Sequence, residues 1–160
     1  MKLGKDTQEV LKTALFNMWT AARVYVEQGT QHPALLLCLE RGDVRVIKLD
    51  EFTGDKDMLD IVIKAHQERP EVDGTILVIE AWMAASTAEE VEQLRKGGEV
   101  LPPSERPDKK EILMFVVETR AGATMAYADI TRNPNKLGPL QWMQEEKFEG
   151  RLVGGMQKPQ

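Results

Sequence analysis

The chain has 160 residues, a formal charge of -5, 42% hydrophobic residues and 29% charged ones, a mixture that supports one packed core and excludes collagen-like, low-complexity and disordered chains. One cysteine rules out an internal disulfide framework. No run approaches the roughly 18 apolar residues of a membrane span, and the N-terminus lacks the charged-then-apolar order of a secretion signal, so a cytoplasmic protein away from the membrane is expected.

Leu11, Ala14, Leu15, Met18, Ala22 and Tyr25 recur at three- and four-residue steps, which predicts an amphipathic helix from about Thr7 to Gln28. Asp6 with Glu9 offers a capping box at its start, and Gly29 a stop. Ala34 to Leu39 is a short apolar run that reads as a buried strand. Arg41-Gly42-Asp43 then turns the chain into the β-branched stretch Val44 to Leu49, making a hairpin. Asp55 or Thr53 caps a second helix whose apolar stripe is read as Met58, Ile61, Val62 and Ala65, and Pro70 ends it.

Gly74 to Ala84 reads as a central strand, because Ile76 to Ile79 are apolar at successive positions and both faces of such a strand need cover. Ser86 with Glu89 predicts a short helix that stops at Gly97-Gly98, and the proline-rich stretch Leu101 to Lys110 an irregular connection. Glu111 to Thr119 and Thr124 to Ile130 form a second hairpin around Arg120 to Ala123. The tail 140–153, with Leu140, Trp142, Met143, Phe148, Leu152 and Val153, has enough apolar surface to dock on the body or on another chain, and 154–160 reads as a disordered end. This order predicts one α+β domain over residues 1–153. It would be a two-layer arrangement of about five mostly antiparallel strands with the helices mainly on one face. The outer strands of such a sheet need pairing or cover.

Catalytic vocabulary is sparse. His32 precedes a proline and His66 sits near a helix end, where a positive ring would suit the dipole. Neither has a ligand-like partner at short spacing, so no metal or cofactor is expected. Asp55, Asp57 and Asp60 at a helix start are ordinary dipole partners before they are cation ligands. Cys38 inside the most apolar strand is a buried thiol before it is a nucleophile. Arg41-Gly42-Asp43 spells an adhesive tripeptide, yet at this spacing it is a turn. Gly97-Gly98 and Gly154-Gly155 lack the spacing of a phosphate loop. Lys109-Lys110 with Arg106 lies among acids, so binding of nucleic acid is not expected.

One constellation stands out. Glu80 and Trp82 fall on one side of the third strand by two-residue alternation, where the strand turns polar, and an acid in an apolar strand needs a partner. Arg106 is the natural fork-like partner, with Asp108 or Glu111 sharing the network. The plain meaning is a salt bridge that pins the long connection to the sheet; the functional one is a pocket in which Trp82 and Arg106 bind and Glu80 or Asp108 is the candidate carboxylate for acid/base work, with no catalytic residue assigned. Glu80-Ala81-Trp82 followed by Pro103-Ser104-Glu105-Arg106-Pro107-Asp108, with Glu111 opening an apolar strand, resembles a pattern in small bacterial and phage-associated proteins of uncharacterised function. The resemblance covers about a quarter of the chain and implies no activity; it implies only that this loop and strand end form one unit. Two functions are therefore expected to compete. The first is a non-enzymatic interaction or self-assembly protein, a homo-oligomer such as a dimer, using a sheet edge or Trp142 and Met143 in the tail. The second is a small-molecule-binding protein or enzyme with a carboxylate and arginine pocket at the end of the third strand.

Overall fold

The computed structural model describes residues 5–83 and 110–143. Helix α1 spans Lys5–Glu27. Leu11, Leu15, Ala22 and Val26 are its buried side, with Ala14, Met18 and Trp19 partly covered. That is the expected stripe with one exchange, since Val26 goes inward and Tyr25 stays exposed. The helix already includes Lys5 and Asp6, two residues before the expected start at Thr7. At the other end Gly29, at φ 76°, donates to the Val26 carbonyl while Thr30 donates to Tyr25. This Schellman closure is the stop the glycine announced.

β1 (Leu35–Glu40) and β2 (Asp43–Lys48) form the first hairpin. Arg41 and Gly42 take φ values of 50° and 90°, the left-handed pair of a type I′ turn. A single 3-10 turn at Asp50–Phe52 leads to α2, Lys56–Gln67. Asp55 is its cap and accepts from the amides of Asp57 and Met58. The inward side of α2 is Leu59, Ile63 and Gln67 with Val62 at its flank, whereas Met58 and Ile61 point to solvent. The expected stripe was thus off by about one residue, because a short helix with apolar side chains on two sides does not say which side meets the sheet.

β3 (Val72–Met83), β4 (Lys110–Thr119) and β5 (Gly122–Thr131) continue the sheet, with two-residue strands β6 (Lys136–Leu137) and β7 (Gln141–Trp142) on β5. The order is β2-β1-β3-β4-β5-β6 and the pairs are antiparallel. The chain is therefore a single α+β domain built on a curled antiparallel sheet with two helices against it. Two strands more than expected arise from residues 136–142, where short pairings continue the sheet past the second hairpin. The tail residues Leu140, Gln141 and Trp142 lie against the body through β7, and the Met143 amide donates to the Met125 carbonyl. The segment 84–109, with the short helix expected after Ser86, and Phe148, Leu152 and Val153 fall outside the described residues.

The two helices do not share a face. Leu35, Leu37, Leu39, Ile76, Val78, Leu113 and Phe115 meet α1, while Leu36, Cys38, Leu77 and Val116 meet α2. The expected one-sided, two-layer arrangement is corrected to helix, sheet, helix. The cause is in β1 and β3, whose consecutive apolar residues are buried on both faces and so demand a cover on each. Helix α1 comes close to the sheet at Gly74, where a Cβ would stand 2.8 Å from Leu11 Cδ1 and 3.2 Å from the Glu118 carbonyl. A glycine lets α1 settle onto the sheet there. At the far side the Trp19 indole N–H donates to the Gly138 carbonyl at 2.9 Å and ties α1 to the loop beyond β6.

Candidate functional site

Two carboxylate and arginine clusters flank β3, one at each end. At its start, Glu40 ends β1 at a bulge, since Leu39 pairs with Gly74 but Glu40 with Val72. The extra residue redirects the Glu40 side chain. One oxygen, Oε1, accepts from Arg45 Nε at 2.9 Å and from Arg69 Nη1 at 3.1 Å, and the Arg69 Nη2 reaches Glu71 at 2.6 Å. Glu40 keeps only 19% of its side chain exposed, against 38% and 41% for Arg45 and Arg69. This is a largely buried acid held by two half-exposed guanidinium groups, an arrangement of charge-assisted hydrogen bonds with well-defined direction.

His66, on the last turn of α2, stands 3.4 Å from an Arg45 nitrogen through Nδ1. Arginine has no acceptor, so Nδ1 carries the lone pair. Burial holds the ring's pKa below its usual value, and Arg45 and Arg69 lower it further. The positive ring that the helix dipole would favour is therefore corrected to a neutral one. Cys38 on the same face is fully buried and its thiol is pushed up to about 11 by burial. It is inert at neutral pH.

At the other end of β3 the expected geometry of Glu80 and Trp82 is present. Both lie on the face that carries Ile76 and Val78, and Trp82 pairs across the strands with Glu111. Arg132, just past β5, donates to both oxygens of Glu111, at 3.4 and 3.0 Å, and stands 3.9 Å from Glu80 Oε1. The other Glu80 oxygen accepts the backbone N–H of His32 at 2.5 Å. His32 is nearly sealed; its Nδ1 lies 2.7 Å from the Pro33 carbonyl, which can only accept, so Nδ1 carries the proton. The ring meets the edge of Tyr25 at 5.2 Å between centroids. Burial lowers the pKa of His32, although the Pro33 hydrogen bond and the charges of Glu80 and Asp50 oppose it.

The structure thus brings Glu80, Trp82 and Glu111 together and adds two members that the sequence reading did not place there, Arg132 and His32. Their signal was weak. Arg132 sits 52 positions from Glu80, and only the pairing of β5 with β4 carries it to the end of β3. Arg106, Asp108 and Lys109 lie outside the described residues. Trp142 is elsewhere, 53% exposed on β7 opposite Ala126. Lys110, the described part of the basic group, pairs with Asp129 at 3.1 Å and lies over the Tyr127 ring. Among the described residues no group of three His, Cys, Asp or Glu side chains is placed to hold a metal ion, and no helix is long and apolar enough to cross a membrane.

Both histidines make a pH prediction with a definite sign. A ring whose pKa is lowered by folding binds fewer protons in the folded chain than in the unfolded one, so its penalty is absent above the usual value near 6.5 and grows as pH falls toward the folded value. The urea midpoint is expected to drop between pH 7.5 and 5.5, above the range in which carboxylates such as Glu71 take up protons. His32→Asn and His66→Gln should each flatten that slope. A midpoint that is level or rises toward pH 5.5 contradicts the neutral assignment.

No protein-family model matches the chain, and neither a curated protein nor a solved structure matches it.

Proposed function

We propose that the chain is a small-molecule-binding protein whose site is the Glu80, Glu111 and Arg132 cluster at the end of β3, and that its ligand carries an amine or a guanidine. The observation behind this is one of charge: among the described residues two carboxylates share a single guanidinium, on a strand face where an aromatic ring follows. Arg132 spends its fork on Glu111 and stands 3.9 Å from Glu80 Oε1, beyond hydrogen-bond reach. Among the described residues no hydrogen bond to that oxygen is formed. Trp82 is 43% exposed and is the cross-strand neighbour of Glu111, which sets an aromatic residue beside the two acids. The His32 amide fixes the Glu80 carboxylate from behind, which reduces the rotamer freedom that binding would otherwise have to remove. Glu40 at the opposite end of β3 already has two arginines and so has less to offer a cationic ligand.

Thermal shift and calorimetry with ethylamine, putrescine and agmatine, beside acetate and succinate as anionic controls, test it. At least one amine should stabilise the protein saturably and the anions should not. Glu80→Gln keeps an acceptor for the His32 amide but removes the charge, and should weaken the amine by about ten- to a hundredfold. Arg132→Met removes the competing cation and should tighten binding. The reading fails if no amine stabilises the wild type, or if Arg132→Met weakens the amine as much as Glu80→Gln does.

A further inference from the structure

β2 is an open edge. It has β1 on one side, shows no bulge in its register, contains no proline, and presents its residues to solvent or only partly covered. The type I′ turn makes Glu40 and Asp43 the closing hydrogen-bonded pair, so the backbone groups of Asp43, Arg45 and Ile47 turn toward β1. Leu49 obeys the same parity, since its amide donates to the Ala34 carbonyl at 2.8 Å. The backbone groups of Val44, Val46 and Lys48 therefore point outward, which is a strand template in want of a partner. The side chains of those same three residues fall on the α1 face, because they pair with Leu39, Leu37 and Leu35. Val44 and Val46 are 42% and 54% exposed, and an open groove of about 320 Å³ separates Val44 from Glu9 and Val10 on α1.

We infer that a second copy of the chain docks on this edge, antiparallel, about a two-fold axis at Val46. Of the registers that bring outward groups opposite one another, the two with the greatest strand overlap are centred on Arg45 and on Val46. Centred on Arg45, the pairing sets Arg45 against Arg45 of the second copy, and like charges directly opposite destabilise a sheet. Centred on Val46, it sets Val46 against Val46 and Val44 against Lys48 of the second copy. The lysine then enters the groove beside Val44, where Glu9 borders it. Among the described residues neither Glu9 nor Lys48 has an ion pair within its own chain, and the two-fold axis makes the new pair twice. The same axis joins the two sheets into one and covers the valines of both copies, an isologous contact that closes on itself.

The dimer does not depend on the amine site, which lies at the far end of β3, and its test is separate. Light scattering of the full chain from about 1 to several hundred µM should show a monomer passing to a dimer. Oxidation of Val46→Cys should trap a covalent dimer, because directly opposed residues of a hydrogen-bonded pair have Cα atoms about 5.5 Å apart, within disulfide range. Val44→Cys should trap little. Val46→Lys should abolish the dimer with its circular dichroism unchanged. Glu9→Lys should raise the dissociation constant about tenfold, and adding Lys48→Glu should restore it. A monomer at the highest concentration overturns the inference, as does equal trapping at positions 44 and 46 or a failure of the charge swap to restore what Glu9→Lys removes.

Discussion

Leu15→Ala on α1 and Ile63→Ala on α2 will each cost the fold about 2–5 kcal/mol, the usual loss for truncating a large aliphatic side chain in a close-packed core. Leu15 and Ile63 are 2% and 1% exposed. The more informative result is their combination. Leu15 packs in the cluster that contains Ile76, Val78 and Phe115, and Ile63 in the one that contains Leu36, Cys38 and Val116, on the other side of the sheet. Among the described residues the two clusters have no member in common, so the losses should add to within about 0.5 kcal/mol. Helices lying side by side on one face would pack against each other and couple. Denaturant midpoints of the two single variants and of the double variant decide between these arrangements. Should the double variant not fold, Ile63→Val in place of Ile63→Ala gives the same cycle with a loss of about 0.5–1.5 kcal/mol at that site.

Helices α1 and α2 and the two hairpins were legible in the sequence because each is a local matter. A 3.6-residue stripe, a glycine at a helix end and a tight turn between β-branched runs are decided within a few residues. The face on which each helix lies is decided by the whole sheet. The clue was present in β1 and β3, where apolar residues follow one another without alternation, and it carried more weight than the order of elements. The strand turns were read as looser than they are. Four residues were expected between β4 and β5, but Arg120-Ala121 alone make the turn. The tail was underestimated in a similar way, since pairings of two residues leave no periodic trace.

The site divides along the same line. Glu80 and Trp82 are on one face because alternation within a strand is local, and Glu111 joins them because β4 runs antiparallel beside β3. The guanidinium partner required β5 as well, a strand further away. Arg132 sits beyond the end of β5 and reads in sequence as one more charged residue before the Asn133-Pro134 break. The Glu40 cluster had no sequence signature at all. Arg45 faces Glu40 through the hairpin, but Arg69 arrives from the end of α2 and could be placed only when α2 was known to lie across β1 and β3.

That cluster should yield the second large loss. Glu40→Ala removes the acceptor on which Arg45 and Arg69 converge and leaves two cations facing each other beside a neutral His66. Breaking a fully buried pair by deleting one partner costs about 3–5 kcal/mol, because the remaining charge is left without compensation. Here both arginines are near 40% exposed and solvent screens them, so the expected loss is about 1–3 kcal/mol. The sign of the rescue is the sharper measurement. If the loss comes from unpaired positive charge, Arg69→Met in the Glu40→Ala background should return part of it, although Arg69→Met in the wild type is itself destabilising. Added salt should also recover stability in Glu40→Ala more than in the wild type, since repulsion between exposed guanidinium groups is screened over about 10 Å at 0.1 M. His66 supplies an independent readout. The Glu40 charge raises the ring's pKa against the two arginines, so in Glu40→Ala its NMR titration should move to lower pH. An unchanged titration, together with a stability loss that neither salt nor Arg69→Met recovers, would mean that Glu40 acts through packing at the β1 bulge and not through its charge.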